Sequence, residues 1–123
     1  GTGADVLIGG AGTDLMFGGK DLSRDTFVLK STSESQPGPK SDLVHDFQSY
    51  VDLLDLHEMD ANIHLSGDQA FEFSNKGAAA HSIWLVQSGD DILVRGDVTG
   101  NTTQDFEFRV TNVSSLAAQD FWL

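Results

Sequence analysis

The sequence predicts an all-β fold in two parts. A parallel β-roll occupies residues 1–30, and an antiparallel, sandwich-like β cap continues it over residues 31–123. Two observations predict this. A glycine- and aspartate-rich unit recurs about every nine residues between Gly1 and Val28. From Leu43 to Val110 the chain then shows short alternating apolar runs separated by turn residues.

Gly9-Gly10-Ala11-Gly12-Thr13-Asp14-Leu15-Met16-Phe17 is one complete copy of the unit. Gly1-Thr2-Gly3-Ala4-Asp5-Val6-Leu7-Ile8 is the same unit lacking its first glycine, and Gly18 to Val28 is a longer, degenerate copy. The glycines tolerate left-handed backbone angles, so each Gly-rich stretch can turn tightly and direct carbonyl oxygens inward. The aspartate that ends the turn adds a carboxylate, and hard oxygen donors of both kinds suit Ca²⁺. After each aspartate comes a short strand whose middle residue (Leu7, Met16, Phe27) points inward, because strand side chains alternate faces.

Two copies complete one turn of such a roll, so copies one and three share an edge. Gly1, Gly3 and Asp5 are therefore expected opposite Gly18, Gly19 and one or both of Asp21 and Asp25. The middle copy, with Gly10, Gly12 and Asp14, needs a partner from outside the repeats. Downstream, Ser41-Asp42-Leu43-Val44-His45-Asp46-Phe47 offers carboxylates beside another apolar strand, with Asp42 the better candidate ligand. Upstream repeats are the other option, since the chain starts inside a copy and reads as a piece of a longer protein.

Beyond the repeats, Ser31 to Ser41 reads as a surface loop from its Ser, Pro and Lys content. The alternating runs Leu43–Phe47, Ala70–Phe73, Ser82–Gln87, Asp91–Arg95 and Phe106–Val110 are expected as antiparallel strands, with Gly89-Asp90 as a hairpin turn. Short helical turns are expected at Leu53–Met59 and Ser114–Ala118. The aromatics Phe71, Phe73, Trp84, Phe106 and Phe108 read as core.

Seven basic residues against 19 acidic ones leave a formal net charge of −12 in 123 residues. Such a chain repels nucleic acid and anionic membranes, and repels itself until cations bind. It has no cysteine, so no disulfide stabilises the fold; metal binding can take the role that disulfides have in secreted proteins. No stretch reaches the apolar length of a membrane span, and no signal peptide is visible at the N-terminus.

The repeats match the G-G-x-G-x-D-x-U-x pattern of RTX proteins. Together with Asp25-Thr26-Phe27-Val28, Ser41 to Phe47, Val51-Asp52-Leu53-Leu54-Asp55-Leu56, Gly67 to Phe73, Gly96-Asp97-Val98, Asp105-Phe106-Glu107 and Ala118 to Leu123, they make the whole chain resemble one family. That family is the C-terminal RTX calcium-binding domain of serralysin-type secreted metalloproteases, which also follows other secreted enzymes and adhesins. The resemblance implies calcium binding, folding outside the cell and export by a type I (ABC) exporter. It also implies a catalytic or adhesive domain ahead of Gly1, and an uncleaved secretion signal at Asp120-Phe121-Trp122-Leu123. Relatives carry an EF-hand-like loop where this chain has Asp97-Val98-Thr99-Gly100-Asn101-Thr102-Thr103-Gln104-Asp105. The glycine expected after Asn101 is missing and two acidic ligands are neutral, which favours a plain hairpin turn or a weak site.

No catalytic constellation is expected. His57-Glu58-Met59-Asp60-Ala61 begins like H-E-x-x-H but has alanine in place of the second histidine. His45, His57, His64 and His81 lack metal-ligand spacing, and there is no G-x-S-x-G elbow. A non-enzymatic calcium module is the reading these residues favour. A carbohydrate-binding or adhesive module is the alternative, although the seven basic residues are too scattered to form a groove for a polyanionic glycan.

Overall fold

Each glycine turn of the repeats ends in a three-residue strand, and these strands begin two facing sheets. The computed structural model describes residues 1–123. Its strands are β1 (Val6–Ile8), β2 (Leu15–Phe17), β3 (Thr26–Val28), β4 (Asp42–His45), β5 (Leu53–Asp55), β6 (Glu72–Phe73), β7 (Ser82–Ser88), β8 (Asp91–Gly96), β9 (Phe106–Val110) and β10 (Phe121–Trp122). The fold is all-β, and its one helical element is a 3-10 turn at Ala118–Asp120.

One sheet has the order β1-β3-β5-β10 and is parallel throughout. The other has the order β2-β4-β9-β8-β7-β6. In it β2, β4 and β9 are parallel, β9-β8-β7 antiparallel, and β6 joins β7 in parallel. Successive repeat strands thus alternate between sheets, which is the winding of a β-roll. Strands from before and after residue 30 hydrogen-bond within both sheets.

The strand registers stack inward residues into two facing columns. Leu7, Phe27, Leu54 and Phe121 form one, and Met16, Val44, Val110 and Ile92 the other. Phe27, Val44, Leu54 and Val110 are fully buried in a single core that also holds Phe71, Phe106 and Phe108. Each buried Phe or Leu stabilises the fold by about 1.5–3 kcal/mol. The flanking residues Val6, Ile8, Leu15 and Phe17 point outward and stay exposed, as period-two alternation requires.

Three expectations are corrected. Leu53–Met59 is not a helical turn: Leu53–Asp55 is strand β5, held in parallel register between β3 and β10. Its apolar run resembles a helix locally, but the open edge of β3 supplies ladder partners that a single helical turn lacks. The C-terminal turn falls at Ala118–Asp120 rather than Ser114–Ala118, closed by Asp120 N donating to Ala117 O. The runs at Leu43–Phe47 and Ala70–Phe73 supply β4 and β6, which pair in parallel rather than antiparallel. The Gly89-Asp90 hairpin joins β7 to β8 as expected, with Gly89 at φ 61.

Candidate metal-binding turns

The aspartates that close the turns form hydrogen-bonded ladders along the two edges of the roll. On the first edge, Asp5 N donates to Asp25 Oδ1 at 2.9 Å, and Asp25 N donates to Asp52 Oδ1 at 3.0 Å. The glycine turns align with them: the Gly1 amino group donates to Gly18 O at 2.7 Å, and Gly3 N to Asp21 Oδ2 at 2.9 Å. Gly19 packs directly on the Gly1 carbonyl. The structure therefore brings together Gly1, Gly3 and Asp5 with Gly18, Gly19, Asp21 and Asp25. Asp21 turns its other oxygen to Ser23 N at 2.7 Å. Amides of Ser23 and Gly3 hold its carboxyl below the usual range.

On the second edge, Asp14 N donates to Asp42 Oδ1 at 2.9 Å, and Asp42 N donates not to a further aspartate but to Ser35 Oγ at 2.8 Å. Asp14 Oδ2 and Asp42 Oδ2 are both buried with no hydrogen-bond partner. A Cβ built on Gly9 would stand 3.1 Å from the first and 3.3 Å from the second, so both oxygens border the space left by the missing side chain. Gly10 and Gly12, at φ 80 and 125, make the turn ahead of them in a conformation that side-chain-bearing residues rarely adopt. Burial, together with the nearby Asp14 and Glu34 charges, pushes the Asp42 carboxyl up to about 6 against the opposing Asp14 amide.

Asp52 and Ser35 end the ladders, and neither was singled out as a site residue from the sequence. Asp52 accepts Asp25 N on one oxygen and Gln48 N on the other, at 2.8 Å, while burial raises its carboxyl above the ordinary value. The signal was present. Asp52 stands two residues before inward Leu54, as Asp5 stands before Leu7 and Asp14 before Met16. Ser35 has no such signature, because a surface-type loop carries it into the interior.

The carboxylates of the Asp97–Asp105 loop are directed onto its own backbone. Asp97 accepts from Thr99 N, Gly100 N and Thr102 N at 2.9–3.0 Å, and Asp105 Oδ2 accepts from Val98 N at 2.8 Å. Burial alone would raise the Asp97 carboxyl, but the Thr102 and Thr99 donors outweigh it and hold it at about 2. No three His, Asp or Glu side chains converge as a metal cluster anywhere in the chain, so a cation in the turns would need backbone carbonyls beside the aspartates.

The C-terminal residues are built into the fold. Asp120 is fully buried and accepts from Ser49 Oγ at 2.6 Å, Tyr50 N at 2.7 Å and Ala117 N at 2.8 Å. Phe121 is buried, Trp122 stacks on His57 with centroids 3.7 Å apart, and Leu123 packs against the core.

The model of the peptidase M10 serralysin C-terminal family matches residues 1–123. Among solved structures, the R2 module of the mannuronan C5-epimerase AlgE6 from Azotobacter vinelandii is similar at TM-score 0.61 and 24% identity, covering 98% of this chain and 71% of that one. The R3 module of the same epimerase aligns at TM-score 0.48 and 20% identity, over 99% and 75% of the two chains. No curated protein matches the chain. The family-model match over the whole chain places it in the peptidase M10 serralysin C-terminal family of RTX domains.

Proposed function

We propose that the chain is a non-catalytic module that folds on binding calcium outside the cell, as part of a larger secreted protein. The observation that carries this reading is the pair of buried, partnerless oxygens Asp14 Oδ2 and Asp42 Oδ2 beside Gly9. Adjacent buried carboxylates without a counter-charge are unfavourable, and a hard divalent cation with oxygen coordination offsets both charges. Asp14 and Asp42, with the turn through Gly10 and Gly12, would hold one ion. Gly1, Gly3, Asp5, Gly18, Gly19, Asp21 and Asp25 are the candidates on the other edge. Bound calcium supplies the positive charge that lets so acidic a chain close on itself.

In the same proposal Asp120, Phe121, Trp122 and Leu123 form a type I secretion signal, read while the chain is unfolded in calcium-poor cytoplasm. The parent would be a serralysin-like protease whose catalytic domain precedes Gly1. Far-UV circular dichroism during a calcium titration, with magnesium as control, tests the folding step. A cooperative coil-to-β transition with calcium alone supports it. A chain already folded in chelator and indifferent to calcium sinks it.

The second reading is a glycan-contacting module, favoured by a pocket on the outer face of the six-stranded sheet and by a fold shared with an epimerase module. The basic residues do not make it a polyanion site. Arg95 pairs with Glu107, Arg109 with Asp91, and Lys30 with Glu58.

A further inference from the structure

Residues Phe47 to Asp52 form a turn of the roll that carries no glycine. Asp52 closes it as Asp5 and Asp14 close theirs, and Tyr50 stands two residues ahead of Asp52, where those copies have Gly3 and Gly12. Tyr50 also adopts their left-handed angle, φ 69 against 90 and 125. Such an angle is unfavourable for a residue with a side chain and persists where surrounding structure imposes it. Here Asp120 imposes it, accepting Tyr50 N at 2.7 Å and Ser49 Oγ at 2.6 Å.

Gln48 stands four residues ahead of Asp52, where the first two copies have Gly1 and Gly10. Its side chain reaches back into the third copy. Nε2 donates to Asp21 O at 2.6 Å and, at longer range, to Gly19 O at 3.4 Å. Gln48 and Asp21 are 27 positions apart, the offset of Thr26 and Leu53 in the β3–β5 ladder, so strand register aligns them. The opposite amide orientation would set Oε1 against carbonyl oxygens, so the two acceptors fix Nε2 toward them. The Gln48 N–H donates to Asp52 Oδ2 at 2.8 Å, while Asp52 Oδ1 accepts Asp25 N at 3.0 Å. Both oxygens of this buried carboxylate therefore have a donor. Asp14 Oδ2 and Asp42 Oδ2 on the other edge have none.

We propose that Gln48 ends the row of cations on the first edge by putting its carboxamide where the next ion would sit. An ion between the third copy and the Phe47–Asp52 turn would need the Asp21 and Gly19 carbonyls together with Asp52. The carboxamide offers N–H donors to the same carbonyls, with no charge to desolvate. An ion held between copies one and three therefore has no neighbour on this side, and Gln48 limits how many ions the edge takes. The assignment rests on the calcium reading above and goes beyond it by naming the residue that stops the row.

Gln48→Glu tests it, with equilibrium dialysis at neutral pH counting the calcium ions bound by the folded chain. The new carboxylate has the same length but no donor, so it would face the two carbonyls as one more acceptor, a set that a cation satisfies. The variant is expected to bind one ion more than the parent. Asn75→Asp adds the same charge at an exposed position between β6 and β7 and should leave the count unchanged. In the parent at saturating calcium, the Gln48 side-chain amide protons should exchange roughly tenfold or more slowly than those of exposed Gln36. If Gln48→Glu does not fold, that exchange rate decides alone. An unchanged count in folded Gln48→Glu, an equal gain in Asn75→Asp, or fast exchange in the parent overturns the assignment and leaves the calcium reading standing. A parent that binds no calcium overturns both.

Discussion

A Cβ on Gly18 would stand 2.6 Å from Asp25 Oδ2: the first glycine of the third repeat is the space into which that repeat's own aspartate folds. The same Cβ would lie 3.0 Å from the Phe27 ring, so the glycine also admits the inward strand residue. Turn, ligand candidate and core are therefore set by one absent methyl group.

Gly18→Ala is expected to cost about 1–3 kcal/mol through overpacking and to raise the calcium concentration needed for folding. Gly77→Ala is the comparison. Gly77 has a left-handed angle, φ 89, that Gly18 lacks, and nothing lies within 4 Å of its Cβ, so only the backbone cost of about 1–2 kcal/mol applies there. A calcium titration of both variants checks this: Gly18→Ala is expected to shift the folding midpoint to higher calcium more than Gly77→Ala does, because only the Gly18 Cβ meets Asp25, and equal shifts would contradict it.

Asp42→Asn and Asp14→Asn keep the side-chain shape, the former also the ladder acceptor of Asp14 N, while removing a charge from the partnerless pair. Each is expected to raise the calcium midpoint of the folding transition by roughly tenfold or more, as loss of a charged oxygen ligand should. Asp97→Asn is expected to leave the number of calcium ions bound by the folded chain unchanged, because backbone amides and not a cation satisfy its carboxylate. A calcium titration of the three variants separates the two behaviours.

The Asp97 carboxyl also predicts part of the acid limb of stability. Its folded value of about 2 lies below the ordinary aspartate value, so the folded state binds this proton less readily than the unfolded state. The resulting stabilisation is complete above about pH 5 and disappears as pH falls through about 2, amounting to about 2 kcal/mol. The stability difference between the parent and Asp97→Asn, measured by denaturant unfolding, should therefore shrink on acidification over that window. A difference constant with pH would refute the assignment.

Asp120→Ala removes the buried acceptor of three hydrogen bonds and leaves donors at Tyr50 and Ala117 without it. A loss of about 3 kcal/mol is expected, together with release of β10 from β5. Carboxypeptidase should remove Leu123 and Trp122 from the variant faster than from the parent. Unchanged digestion would mean that another contact holds the strand.

Much of the roll was legible because its information is local. Each copy carries the glycine that admits its aspartate and the apolar residue two positions later, so spacing alone assigns turn, strand and inward face. The joining of copies one and three follows from that period, and β3 does lie beside β1. Reading failed where a segment borrows its structure from a distant partner. Leu53–Asp55 is a strand because β3 and β10 flank it, and Asp52 joins the first ladder only through that register.

By itself the sequence determined the all-β class, the repeat geometry, the family and the excess of carboxylates. These depend on backbone freedom at glycine, side-chain alternation and charge, which act over a few residues. Only the tertiary structure decided that Asp14 meets Asp42, that Ser35 ends that edge, that Asp97 is satisfied by its own loop, and that Phe17 stacks on His45 above a pocket. Such pairings join residues between two and 28 positions apart, and the physical reason the distant ones escape a linear reading is that register and packing of the whole sheet select them.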